Sequence, residues 1–221
     1  MEFSDVARRL GISSGAAVFL LLIVYSVTLV AGQMSLQSPH EQIGDPYFTM
    51  LEVLIIVMMP AMVVLMVAVH SWAPAKLKVL SLSALVFMGL ATGVTCSLHF
   101  AILTLSRQPA FSALELLPLF VSFEWPSVSY ALDIVAWDVF FPLSMLFAAP
   151  VFGGSGLALS VRVLMIVSGV LSLAGLSGVA AGDMGLRNIG IAGYVGVFLV
   201  VALLLVVLFY RSKPQDERGG G

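Results

Sequence analysis

The chain has 221 residues, of which 60% are hydrophobic and only 10% charged, with a formal net charge of −2 and a mean hydropathy of +1.09. A soluble domain carries roughly 25% charged residues, so this chain has too little polar surface for water and requires lipid as its solvent. One cysteine excludes a disulfide scaffold, and a near-neutral charge without a basic block excludes a nucleic-acid binder.

Crossing a hydrocarbon core about 30 Å thick takes about 20 apolar residues as a helix. Six such runs follow one another, at about 13–32, 48–70, 79–105, 129–152, 157–181 and 189–210. Each is too long for a strand and lacks period-two alternation, so each satisfies its backbone bonds internally as a helix. The expectation is an all-α integral membrane protein, a six-helix bundle forming a single domain over 1–212, followed by a disordered polar tail at 213–221.

Arg8 and Arg9 precede the first run as they would in a signal peptide. The run is long enough to span, however, and Ala31-Gly32-Gln33 makes a poor cleavage site, so a retained helix is expected. Helix two follows Pro46, carries Glu52 in its first turns and meets Pro60 near mid-depth, with Met58, Met59, Met62 and Met66 along it. Helix three places Thr92, Thr95, Cys96 and His99 on one face, at i, i+3, i+4 and i+7.

The connection 106–128 holds two apolar stretches separated by Pro118, too short to span. It reads as an interfacial or re-entrant segment between helices three and four, folding over the bundle mouth as a lid. Helix four repeats the plan of helix two: Pro126, then Asp133, then Pro142. A duplication would produce this echo, and chance explains it equally well. Ser129, Tyr130, Asp133, Trp137 and Phe140 share one face of helix four. Asp138 lies about 140° round from Asp133 at about 100° per residue, so the two aspartates converge only if the helix is distorted. Pro142, which cannot donate to the carbonyl of Asp138, supplies a cause.

Small residues mark packing faces in membranes. Gly89 and Gly93 on helix three, Gly178 and Gly182 with Ser168, Ser172 and Gly175 on helix five, and Gly190, Gly193 and Gly196 on helix six are such stripes. They read as contacts within the bundle, with a homodimer face as the alternative.

Orientation follows from lysine and arginine. With six spans, Arg8, Arg9, Lys76, Lys78, Arg162, Arg211, Lys213 and Arg218 fall on one side and only Arg107 and Arg187 on the other. Both termini are therefore expected in the cytoplasm, and the two long connections, 33–47 and 106–128, outside.

Acids within the bilayer are costly and point to function. Glu52, Asp133, Asp138 and His99 occupy the outer half of three helices and form the candidate catalytic set, with Asp138 nearest the midplane. Trp137, Tyr130, Phe140, Thr95 and Met59 are the candidate substrate contacts. Each has a structural reading as well. Glu52 and Asp133 also fit hydrated helix-end acids favoured by the helix dipole. Asp138 and His99 also fit groups bonded to a neighbouring helix, Trp125 and Tyr130 an aromatic belt, and Asp183 with Arg187 a surface pair.

No lysine lies within a span to carry a retinal, no two histidines face each other to hold a haem, and no H-E-x-x-H, G-x-S-x-G or P-loop occurs. The sequence specifies no cofactor. Glu52, His99 and Asp133 are the ligand types a metal would take, though they form no recognisable local motif. Two classes of function fit best: an intramembrane enzyme using acid–base chemistry on an amphiphilic or isoprenoid-like molecule, and a proton- or cation-coupled transporter. A non-catalytic sensor or assembly subunit is the third. The one-sided distribution of polar groups favours the enzyme, since a carrier needs a path to both faces.

Overall fold

The computed structural model describes residues 3–38, 42–112 and 116–212; His40, the 113–115 part of the outer segment and the 213–221 tail lie outside the described residues. Among the described residues six helices are long and apolar enough to cross a membrane: Asp5–Met34, Tyr47–Trp72, Ala75–Leu105, Val128–Val151, Leu157–Ala181 and Met184–Arg211, here helices one to six. No strand occurs among the described residues. Each helix packs against the next in sequence, and helix six returns to helix one, so the six form a closed ring of antiparallel neighbours.

The start of helix one and the end of helix six meet at one end of this ring. Arg8 donates from Nε to the Phe209 carbonyl at 3.2 Å and from Nη2 to the Tyr210 carbonyl at 3.1 Å. A cation thus satisfies the orphan carbonyls where the helix-six dipole is negative. Lys78 serves helix two in the same way, donating to the carbonyls of His70 and Ser71. The Phe3 ring closes the end, 5.1 Å from Trp72 and 5.5 Å from Phe209.

The half of the bundle nearer the termini is packed solid. Met62, Leu65 and Met66 of helix two meet Met88, Phe141, Met145, Phe198, Val201 and Leu205, all essentially inaccessible. Unbranched methionine fills the irregular space between helices without branching constraints. Helices five and six approach closely: a Cβ on Gly193 would lie 2.7 Å from the Ser168 carbonyl oxygen, and Ser168 Oγ donates to the Gly193 carbonyl at 2.9 Å. Gly89 and Gly93 are different. Both are exposed, with no atom within 4 Å of an added Cβ, so this pair is not a contact face within the bundle.

Among the described residues two spans contain a π-helical turn. Val135–Phe140 of helix four and Ala192–Val197 of helix six are π-helical. Their ladders shift by one residue: Phe141 N–H reaches the Ala136 carbonyl, and Phe198 N–H the Gly193 carbonyl. Pro142 lacks the N–H that an α-helix would direct to Asp138, which favours the wider turn in helix four.

Helix six begins at Met184, five residues before the apolar run suggests. Asp183 caps it, its carboxylate accepting the Gly185 N–H at 2.9 Å. The connection before helix four contains two short helices, Pro109–Ser112 and Leu117–Val121. Its second half is tied to helix four: Ser129 Oγ donates to the Phe120 carbonyl, and Ser127 Oγ to the Ser122 carbonyl at 2.5 Å.

Candidate functional site

The half of the bundle away from the termini is built differently. A cavity of about 810 Å³ opens among helices one, two, three, four and six, bounded by the segments before helices two and four. Its floor and walls carry a continuous chain of buried ionisable side chains.

His99 of helix three stands at the centre. Its Nδ1 lies 2.9 Å from Glu52 Oε2 on helix two, and its Nε2 lies 3.7 Å from Asp133 Oδ1 on helix four. The second oxygen of Asp133 accepts from Arg187 Nη2 at 2.8 Å, and Arg187 Nε donates to Asp138 Oδ2, also at 2.8 Å. Glu52, His99, Asp133, Arg187 and Asp138 thus run in sequence across four helices. All are buried, Asp138 completely and Arg187 with 5% of its surface accessible. Unpaired charges here would be costly, and each is met by an opposite charge or a hydrogen bond.

The π-turn explains how two aspartates five positions apart reach one guanidinium. In an α-helix they would diverge by about 140°. Bonding from i to i−5 widens the turn and brings residues five apart towards one face. Arg187 arrives from helix six through its capped first turn, on the same face as Gly190 and Tyr194. Its guanidinium also lies 4.7 Å from the centre of the Tyr130 ring. That arrangement gains cation–π attraction in addition to the two ion pairs.

Glycines make room for Asp138. A Cβ on Gly190 would come within 2.6 Å of its Oδ1, and one on Gly175 within 2.8 Å. Among the described residues this oxygen has no hydrogen-bond partner, and neither do His99 Nε2 and Thr95 Oγ1.

Glu52, His99, Asp133, Tyr130 and Trp137 line the cavity, together with Arg187, expected at the surface, and with Tyr25 and Tyr194, to which the sequence draws no attention. Asp138 stands behind Arg187 and is not part of the lining. The remaining three candidates also lie elsewhere. Met59 is buried, and its carbonyl accepts from Thr92 at 3.3 Å. Thr95 is wholly buried, and Phe140 packs 6.5 Å from Phe87.

Arg187 is not in a surface pair with Asp183. Asp183 caps the helix, and Arg187 points inward to Asp133 and Asp138. Glu52 and Asp133 flank opposite nitrogens of His99, so the three do not converge on a point where an ion would sit. Among the described residues no group of three or more histidine, cysteine, aspartate or glutamate side chains is arranged to hold a metal.

At the mouth, Arg107 pairs with Asp45 Oδ2 at 2.9 Å and donates to Thr49 Oγ1, tying the end of helix three to the start of helix two. The Thr49 hydroxyl donates to Asp45 Oδ1 at 2.5 Å, and this bond, with the Arg107 charge, holds the Asp45 carboxyl below its ordinary pKa. On the other side of the mouth the Phe123 ring lies 5.1 Å from His99.

Fold and site together define a class: a polytopic helical membrane protein with charged residues buried within the bundle. No family model matches the chain, and no curated protein or solved structure shows significant similarity to it.

Proposed function

We propose that the protein is an intramembrane enzyme that transfers a proton to or from the head group of an amphiphile bound in the cavity. The observation that carries this reading is the setting of His99. Glu52 engages Nδ1 at 2.9 Å, while Nε2 is buried, unbonded and beside the cavity. A carboxylate on one nitrogen orients the ring, fixes the tautomer and stabilises the imidazolium, leaving the other nitrogen to act as base or acid. Asp133 is the second carboxylate at that nitrogen, and Arg187, anchored by Asp138, holds Asp133 in place.

The lining suits an amphiphile. Leu22, Leu29, Ile55, Ile102 and Val195 offer apolar walls, and the charged chain offers a polar end. The closed, methionine-rich half supports an enzyme over a carrier, because a packed apolar cluster of the described residues fills the bundle between the cavity and the termini. By the distribution of lysine and arginine the termini are cytoplasmic, the cavity faces the outer side, and the segment 116–127 acts as its lid.

The test is conversion. The purified protein is incubated with a total membrane lipid extract, and the extract is compared by untargeted mass spectrometry. A species consumed by wild type and left intact by His99→Gln is expected. Lipid that co-purifies and is never altered would reject the catalytic reading.

A further inference from the structure

We infer that the head group received by this cavity is a protonated amine: the substrate class is a long-chain primary ammonium amphiphile rather than a phosphorylated or neutral one. The inference rests on the reading of the cavity as a ligand site and adds its charge.

The buried chain is short of positive charge. It contains three carboxylates, Glu52, Asp133 and Asp138, against one guanidinium, Arg187, and one imidazole, His99. Even with His99 protonated, one negative charge is in excess; with His99 neutral, two are. Excess charge in a low-dielectric interior costs several kcal/mol per ion unless a counter-charge meets it.

The rest of the lining does not make up the difference. Arg107 is engaged by Asp45 at the mouth. Glu124, also in the lining, has no ion pair among the described residues and adds negative potential. Both lining arginines are thus matched by carboxylates, and neither has the free fork that a phosphate head group would require.

Acceptors are also in surplus. Glu52 uses Oε2 on His99, and His99 Nε2, 3.7 Å from Asp133 Oδ1, makes no hydrogen bond among the described residues, on a side chain with only 5% of the residue's surface accessible. An ammonium group brings three N–H donors and no acceptor, which complements such a set. Tyr25, Trp137 and Tyr194 line the same space, and aromatic rings attract cations at their faces, as Tyr130 already does Arg187. A primary ammonium also has a proton to lose, and His99 Nε2 is placed to take it, leaving the neutral amine and an imidazolium paired to Glu52.

Binding to wild-type protein in maltoside micelles at pH 7 would be measured calorimetrically with octadecylamine, octadecanol and octadecyl phosphate. Saturable one-to-one binding of the amine is expected, at least about tenfold tighter than either of the others. Glu52→Gln, checked for folding by gel filtration and melting, should weaken amine binding about tenfold and leave the alcohol unaffected.

Equal affinity for the three probes, or tighter binding of the phosphate, overturns the inference. Equal affinity is the result expected if one of the buried carboxylates carries a proton and the chain is already balanced. Should Glu52→Gln fail to fold, the comparison of head groups on wild type decides alone. The outcomes separate from those of the catalytic reading. An amine bound selectively but never converted upholds the charge assignment and rejects the enzyme. An anionic or neutral lipid converted by wild type does the reverse.

Discussion

Asp138 holds Arg187 with one oxygen and presses the other against two glycines, so its neighbours tolerate little change. Replacing it with leucine leaves a buried guanidinium short of a partner, and losing one member of a buried pair costs about 3–5 kcal/mol. Asp138→Leu should therefore melt well below wild type in detergent. Asp138→Asn keeps the shape and an acceptor, so it should remain folded while activity is lost, because Arg187 then holds Asp133 less firmly. An Asn variant with full activity would remove Asp138 from the positioning role. Gly190→Ala attacks the same seat from helix six. The added carbon would lie 2.6 Å from Asp138 Oδ1, and relief by backbone shift costs about 1–3 kcal/mol. Gly196→Ala, where nothing lies within 4 Å, is the control and should melt like wild type.

At the scale of the element, the π-turn of helix four is what places Asp133 and Asp138 on one arginine. Deleting Val139 removes a residue from the widened turn and lets an α-helix re-form. The six-helix fold should survive, since the packed half lies beyond this point. Asp133 would then rotate away from His99 and Arg187, and conversion of substrate should cease. Retained conversion would show that the widened turn is dispensable.

The mouth makes a prediction about pH. The Asp45 carboxyl titrates below its ordinary value because of the Thr49 hydroxyl and Arg107. Its contribution to holding the mouth is complete above the ordinary carboxylate range, about pH 4, and fades only as pH falls through the lower value of the folded protein. Amide protection at 47–50, corrected for intrinsic exchange, should be flat from about pH 5 upward and decline in acid. Asp45→Asn should remove that decline. A change centred near neutrality would contradict the assignment.

The contrast between elements explains what the chain discloses. Six spans are legible because lipid demands long apolar runs, and Glu52, His99 and Asp133 are legible because ionisable groups stand out in them. Arg187 was hidden by the same logic. A hydropathy window stops at an arginine, which moved the start of helix six to 189 and left Arg187 paired with Asp183. The signal that finds it is local: Asp183 is a helix cap, and Arg187, Gly190 and Tyr194 then share an inward face. The π-turns are not legible in periodicity, although Pro142 points to the carbonyl that loses its bond. The failure of Phe140 to join the Asp133 face follows from that same widened turn.

For the whole molecule, two halves with opposite character define the account. The half near the termini is apolar and closely packed, and the other half holds the charged chain around an open cavity. The most direct test is one-sided access to the cavity. A cysteine at Ile191, in the lining, is introduced into a Cys96→Ser background and treated with a membrane-impermeant maleimide in oriented vesicles. Reaction is expected only from the face that carries the 35–46 and 106–127 connections, slowed by octadecylamine. Reaction from the face of the termini, or equal reaction from both, would contradict it.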